Sequence, residues 1–87
     1  MADDARIAIL NDADIVIARQ EGRRVAQAAG ITGSNLTLIA TAISELARNI
    51  LEYARSGEIV VSIVDRGVRR GVLVCARDEG PGIPDLE

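Results

Sequence analysis

The fold of this protein is decided by two stretches of sequence, TAISELARNI at residues 41–50 and DEGPG at residues 78–82. The first lies inside a longer segment, residues 35–54, in which apolar side chains recur at steps of three and four, as on one face of a helix. Glu45 and Asn49 are four residues apart and therefore project from the same side of that helix. The second stretch follows a run of alternating apolar residues, which is typical of a strand. A helix bearing a carboxylate and an amide therefore precedes a glycine-rich loop at a strand end.

The periodicity of the rest of the chain predicts five elements in the order strand, helix, helix, strand, strand. Their predicted bounds are 6–10, 14–29, 35–54, 58–64 and 72–77. The polar segment 65–71 contains two glycines and predicts a hairpin connection. We therefore expect one α/β domain over residues 1–87, a two-layer α/β sandwich with both helices on one face of the sheet.

Local signals predict where the helices begin and end. Asn11 and Asp12 are good N-cap residue types for the first helix, and Ser34 is the expected N-cap of the second. Gly30 is expected to end the first helix, and Ser56 with Gly57 the second. The buried stripes are predicted to be almost entirely aliphatic, because the chain has no Phe or Trp. They are Ile15, Ala18, Gly22, Val25, Ala26 and Ala29 in the first helix, and Leu36, Ile39, Ala40, Ile43, Leu46, Ala47, Ile50 and Tyr53 in the second.

The composition excludes several classes of function. The net charge is −3 and Tyr53 is the only aromatic residue, whereas a nucleic-acid binder usually has a basic surplus and stacking aromatics. No apolar run approaches the roughly 20 residues that span a bilayer, and the start of the chain lacks the features of a signal peptide. The single Cys75 fits a reducing cytoplasm and is expected to be a small buried strand residue. With no histidine, the chain can supply neither a Ser-His-Asp triad nor a self-phosphorylating histidine.

The pair Glu45 and Asn49 has the chemistry of a magnesium site. Mg²⁺ takes one or two protein oxygens and completes its coordination with water and substrate phosphates. The carboxylate of Glu45 could also deprotonate an attacking group. Taken alone, the pair is a weak signal, because a Glu and an Asn on the solvated face of an ordinary helix are common, and the same interpretation is preferred for the neighbouring Arg48.

The loop that begins at Asp78 has the chemistry of an adenine site. Gly80 and Gly82 allow the backbone to approach a flat ligand closely, and the carboxylate of Asp78 can accept a hydrogen bond from an exocyclic amine. Taken alone, the same string is an ordinary turn. Similarly, the adjacent Arg69 and Arg70 fit a solvated hairpin turn, with contact to an acidic partner as the alternative.

The two motifs in this order resemble the N box and the first glycine box of the histidine-kinase/Hsp90/MutL-type ATP-binding fold, also called the Bergerat fold. The resemblance implies that ATP and Mg²⁺ are bound. It assigns the metal to Asn49, the general base to Glu45 and the adenine amino group to Asp78. It also implies an adenine pocket formed by Gly80 and Gly82, with Ile83 packed against the ring.

Residues 14–23, 41–50, 65–67 and 78–85 look more specifically like the RsbT-like serine/threonine switch kinases of bacterial stress responses, of the anti-sigma regulatory factor type. The similarity runs from about residue 6 to the last residue. It implies a kinase that phosphorylates a STAS-domain scaffold or antagonist protein in a stressosome partner-switching pathway. It also implies a second partner, such as a downstream phosphatase or other output protein. The absence of histidine agrees with a phosphate acceptor in another protein.

The family domain continues beyond the first glycine box with an ATP lid, a second glycine box, a helix and two strands. None of these lies in the 87 residues, so we expect a C-terminally incomplete domain. The chain can be the surviving part of a longer protein, which we favour, or a deliberate truncation, or a short natural form.

Two other functions remain open at this point. A non-catalytic partner-switching module would act by sequestering and releasing proteins, without phosphate transfer. A fragment of a sensor histidine kinase is disfavoured, because the chain has no histidine and no dimerisation helix and begins with a strand.

Overall fold

The computed structural model describes residues 4–78 as an α/β arrangement of two helices and a three-stranded sheet. The elements are β1 (Ala5–Ile9), α1 (Asp12–Ala28), α2 (Gly33–Tyr53), β2 (Gly57–Arg66) and β3 (Arg69–Asp78). Their order confirms the order predicted from the periodicity. No helix within these residues is long and apolar enough to cross a membrane.

The sheet is antiparallel throughout, with β2 in the middle and β1 and β3 on either side. Ile59 lies opposite Ile7 on one side and Ala76 on the other, so these three side chains share one sheet face. The segment 65–71 is not the long connection that we predicted. Pairing continues to Arg66 and Arg69, and only Gly67 and Val68 form the turn. Gly67 has a φ of 65°, which glycine adopts without a steric penalty, so the strands can join through two residues.

Helix α1 has the capping residues that its sequence predicts, although it begins at Asp12, two residues before the predicted start. Asn11 is the N-cap, and its side chain accepts a hydrogen bond of 3.3 Å from the amide of Asp14. The carboxylate of Asp14 in turn accepts a hydrogen bond of 3.2 Å from the backbone amide of Asn11, which completes a capping box. At the other end Gly30 has a φ of 89°, and the amides of Gly30 and Ile31 donate to the carbonyls of the last turn, as in a Schellman motif. The predicted buried stripe is confirmed in full.

Helix α2 departs from its predicted ends. Its N-cap is Thr32, without a side-chain bond, and not Ser34, which lies inside the first turn. The helix stops at Tyr53, before Ser56 and Gly57, and the chain leaves it through Arg55 with a φ of 73°. Tyr53 was predicted to be buried, which is wrong: it is 65% exposed. The neighbouring Ala54 is fully buried instead, four residues after Ile50, so the buried stripe passes through Ala54 and not through Tyr53.

One hydrophobic cluster joins both helices to the sheet. It consists only of alanine, valine and isoleucine, which confirms the aliphatic core predicted from the composition. Its members are Ala5, Ile7, Ile9, Ile15, Ala18, Val25, Ile43, Ala47, Ile50, Ile59 and Val61. Ile43 lies directly over Gly22 of α1, and a Cβ built on that glycine would overlap the Ile43 Cδ1. The mid-helix glycine therefore allows α1 and α2 to approach closely.

The opposite face of the sheet carries charged and exposed side chains. Cys75 was predicted to be buried, but it is exposed, because it faces away from the helices. On the same face, Glu58 accepts hydrogen bonds from Arg6 at 2.6 Å and from Arg77 at 3.2 Å. Burial raises the pKa of Glu58, but the hydrogen bonds and charges of Arg77 and Arg6 outweigh it, so the pKa lies below its usual range. One carboxylate thus ties both outer strands to β2.

We expect Glu58→Gln to remove a pH-dependent part of the stability. Because the folded pKa is lowered, ionised Glu58 stabilises the fold above its ordinary pKa of about 4.3, and this contribution disappears as the pH falls through the folded value. The free energies of unfolding of wild type and variant should therefore differ near neutral pH and converge below about pH 4. Urea titrations at several pH values measure this. Glu52→Gln is the control, because Glu52 is exposed on α2 and forms no ion pair within residues 4–78. A constant difference across this pH range would contradict the interpretation.

Candidate functional site

Glu45 and Asn49 both lie on the exposed side of α2. They face solvent because Ile43, Ala47 and Ile50 of the same helix turn towards the core. One helical turn separates the two residues, a rise of about 6 Å along the axis. A carboxylate and an amide oxygen are therefore presented together on a rigid element. The shared direction of Glu45 and Asn49 on one side of a helix agrees with the geometry predicted for the first motif.

Glu45 also faces Arg48 of its own helix. The Arg48 Nη1 lies 3.8 Å from the Glu45 Oε2, and the two side chains are 57% and 65% exposed. An exposed pair of this kind contributes at most about 1 kcal/mol to stability. The contact therefore leaves Glu45 free to take another partner.

Asp78 is the last residue of β3, opposite Gly57, and its side chain is exposed. Gly80, Gly82 and Ile83, the other residues predicted to bind the nucleotide, lie outside the described residues. The structure therefore locates three of the six predicted site residues.

Gly57 is the point at which the two motifs meet. A Cβ built on Gly57 would overlap the carbonyl oxygen of Arg77, and would lie 2.9 Å from the Asp78 Cα and 3.0 Å from the Ile50 Cγ2. Ile50 follows Asn49 directly in α2. The end of β3 therefore packs against the last turns of the helix that carries Glu45 and Asn49. Sequence reasoning assigned Gly57 only to the end of the helix, and nothing in a Ser-Gly pair reveals such a close approach.

We expect Gly57→Ala to destabilise the fold by about 1–3 kcal/mol, the usual cost of overpacking. The added methyl group meets main-chain atoms of β3, which cannot rotate away as a side chain can. Urea denaturation measures the loss. Gly71→Ala is the matched control on the neighbouring strand, since a Cβ there meets no atom within 4 Å. Equal stabilities of the two variants would contradict a close approach at Gly57.

Glu45 and Asn49 are the residues of α2 that could hold a metal ion. Within residues 4–78 no group of three or more His, Cys, Asp or Glu side chains could hold a metal ion. Mg²⁺ that binds with nucleotide needs only one or two protein oxygens, and the exposed pair on α2 can provide them.

The chain can now be compared with known proteins. It is 47% identical over 87 residues to the serine/threonine-protein kinase RsbT of Bacillus subtilis. The chain is therefore similar in sequence to RsbT. The alignment covers 99% of this chain but 65% of RsbT. No family model matches the chain, and no solved structure is significantly similar to it.

The alignment with RsbT covers nearly every residue of the chain, including both motifs. This confirms the resemblance that the sequence suggested.

A further feature lies far from these motifs. An open groove of about 570 Å³ is found at the turn of the β2–β3 hairpin, at the opposite end of these strands from Asp78.

Proposed function

We propose that this protein is a Mg²⁺-ATP-dependent serine/threonine kinase of the partner-switching type, built on a two-layer Bergerat-type sandwich. The observation that carries the proposal is the meeting of α2 and the end of β3 at Gly57. This packing holds Asp78 beside the helix that bears Glu45 and Asn49. The 47% sequence identity to the kinase RsbT supports the same conclusion.

In this proposal Asp78 binds the adenine. Its carboxylate accepts a hydrogen bond from the exocyclic amine, and a carboxylate cannot donate the bond that other purines would require there. Gly80 and Gly82 allow close approach of the backbone, and Ile83 packs against the ring. Because β3 is fixed between β2 and α2, the position of Asp78 is set by packing and not by a mobile loop.

Asn49 would hold the metal through its side-chain oxygen. When bound, the ion neutralises phosphate charge and fixes the orientation of the transferring group. Asn49 is well suited to this role because α2 is anchored along its buried stripe. The backbone position from which the amide oxygen projects is therefore fixed.

Glu45 acts as the general base. Its carboxylate takes the proton of a serine or threonine hydroxyl on the partner protein. The hydroxyl oxygen forms a bond to the γ-phosphorus of ATP as the bond to the β-phosphate oxygen breaks, and ADP leaves. The exposed ion pair with Arg48 is weak enough for Glu45 to exchange it for the substrate hydroxyl.

The proposed partner is a STAS-domain scaffold or antagonist protein in a bacterial stress-response pathway, in the cytoplasm. A downstream phosphatase or other output protein is the second partner, bound after release from the first. Since the chain has no histidine, the phosphate goes directly to the partner and does not pass through a phosphohistidine of this chain.

Asp78→Asn is expected to weaken ATP binding by roughly tenfold, because the amide oxygen can still accept a hydrogen bond but carries no charge to strengthen it. Isothermal titration with Mg²⁺-ATP measures this. Asp65→Asn is the control, because Asp65 lies on the same hairpin but next to the turn. If Asp78→Asn binds ATP as tightly as the Asp65 variant, Asp78 is not the adenine ligand.

A further inference from the structure

The tip of the β2–β3 hairpin, defined here as residues 64–73, concentrates positive charge on an acidic protein. The chain has a net charge of −3, but the tip contains Arg66, Arg69 and Arg70 with only Asp65 to oppose them. Arg66 and Arg69 lie directly opposite each other across the strands. Like charges in this position destabilise a sheet. Among residues 4–78 neither side chain forms an ion pair or a hydrogen bond, so no such contact within the fold offsets this repulsion.

Arg70 has a different role from these two. Its Nε donates to the Asp65 Oδ1 at 2.9 Å, and its Nη1 lies 3.5 Å from the carbonyl oxygen of Ala28 at the end of α1. Arg70 therefore points to the side of the sheet that carries the helices and ties the tip to α1. Arg66 and Arg69 lie on the opposite face of the sheet, away from the helices. They share that face with Val64 and Gly71, because residues two apart along a strand point to the same side.

An open groove runs along the tip beside these two arginines. Its volume is about 570 Å³, and it is lined by Val64, Arg66, Arg69, Arg70, Gly71, Val72 and Leu73. Val64 lies opposite Gly71, which has no side chain and around whose Cβ position no atom lies within 4 Å. The missing side chain produces the hollow. Leu73 is half-exposed beside it, and Val68 at the turn is fully exposed.

We propose that the hairpin tip is a docking surface for an acidic segment of a partner protein. Carboxylates of that segment bind Arg66 and Arg69, each of which offers a planar fork of donors that matches a carboxylate. An apolar side chain between the carboxylates fills the hollow over Gly71, between Val64 and Leu73. Charge complementarity explains why two like charges are kept opposite each other at a place where the fold does not need them.

The chemistry of the tip favours a protein over a nucleic acid. Single-stranded nucleic acid binds to aromatic platforms along a basic groove, and the tip has no aromatic residue. The overall negative charge of the chain also opposes a long polyphosphate.

The docking surface is separate from the proposed nucleotide site. Asp78 pairs with Gly57 at one end of the hairpin, and the turn lies at the other end. Strands of this length separate them by roughly 30 Å. Docking at the tip therefore does not depend on the proposed kinase function, and it should be unchanged by Asp78→Asn.

The test is a titration of the isotope-labelled protein with a short synthetic peptide of glutamates and interspersed leucines, followed by amide NMR. We expect shift changes concentrated at residues 64–73. Two variants should each weaken binding by at least about tenfold, the loss of one charge-assisted contact or of the apolar contact. Arg66→Thr/Arg69→Thr removes the carboxylate partners, and Gly71→Val fills the hollow. Both place β-branched residues in strands and should keep or raise the melting temperature, so a loss of binding is not a loss of fold.

Three results would overturn the proposal. The first is an absence of shift changes at the tip at millimolar peptide. The second is that either variant binds the acidic peptide as tightly as the wild-type protein does. The third is equal binding of a lysine-containing peptide of the same length, or of a single-stranded oligonucleotide. The double variant Arg23→Thr/Arg24→Thr is the matched control, since it removes two adjacent exposed arginines of α1 and should bind the acidic peptide normally.

Discussion

Replacing Glu45 by glutamine is expected to lower phosphate transfer to the partner protein by about two to four orders of magnitude, the usual contribution of a general base. Glutamine has the same size and can still accept a hydrogen bond, but it cannot take the proton of the attacking hydroxyl. Because Glu45 is 65% exposed, its replacement should leave the free energy of unfolding almost unchanged. ATP binding and partner binding should also persist. Transfer of labelled γ-phosphate to the partner measures the rate, with ATP and partner binding recorded on the same samples.

Two control variants separate the role of the carboxylate from that of its ion pair. Arg48→Ala removes the partner of Glu45 and keeps the carboxylate, so transfer should continue. Glu21→Gln breaks a pair of the same spacing on α1, where Glu21 lies 2.9 Å from Arg24, and should have no effect. Undiminished transfer by Glu45→Gln would exclude Glu45 as the base. If the wild-type protein binds the partner without transferring phosphate, the non-catalytic partner-switching module becomes the better explanation.

Ile43→Ala is expected to destabilise the fold by about 2–5 kcal/mol, the range for large-to-small substitutions in cores. Ile43 is fully buried and lies over Gly22 of α1. The buried members of the cluster are alanine, valine and isoleucine, so no aromatic side chain lies within it to refill the space. In a domain of this size, such a loss is a large share of the total stability. Chemical denaturation followed by circular dichroism measures it.

The same site offers a compensating substitution. Gly22→Ala places a methyl group where the Ile43 Cδ1 now lies, so it should destabilise the wild type but partly refill the space in Ile43→Ala. The double variant should therefore be more stable than the sum of the two single effects predicts. Leu38→Ala on the exposed side of α2 is the control and should change stability by less than about 0.5 kcal/mol. Additive effects of the two substitutions would show that Gly22 and Ile43 are not in contact.

Much of the fold could be predicted from local patterns. The capping box at Asn11 and Asp14, the glycine that ends α1 and both helical stripes are properties of a few neighbouring residues. Side chains three or four apart meet on any helix, whatever surrounds it. The pair Glu45 and Asn49 was found for the same reason, since their shared direction requires only that the segment be helical.

The predictions that failed concern residues at the ends of elements or at the edge of the sheet. Tyr53 continues the periodicity of α2 and yet is exposed, and Cys75 lies in an apolar strand and yet faces away from the helices. The segment 65–71 contains turn residues throughout, but its ends pair as strand and only Gly67 and Val68 turn. In each case the outcome depends on which neighbouring element covers the residue.

The sequence by itself determined the five elements, their order, the aliphatic core and the chemical type of the two motifs, because each of these depends on spacing along the chain. Only the tertiary structure decided how the motifs meet. Gly57 and Asp78 are distant in sequence, and they are brought together by antiparallel pairing that places a residue without a side chain against the backbone of β3. The same pairing sets Arg66 against Arg69 and leaves a hollow over Gly71. Contacts between distant residues depend on how the elements pair and pack, which the spacing of residues within one element does not specify.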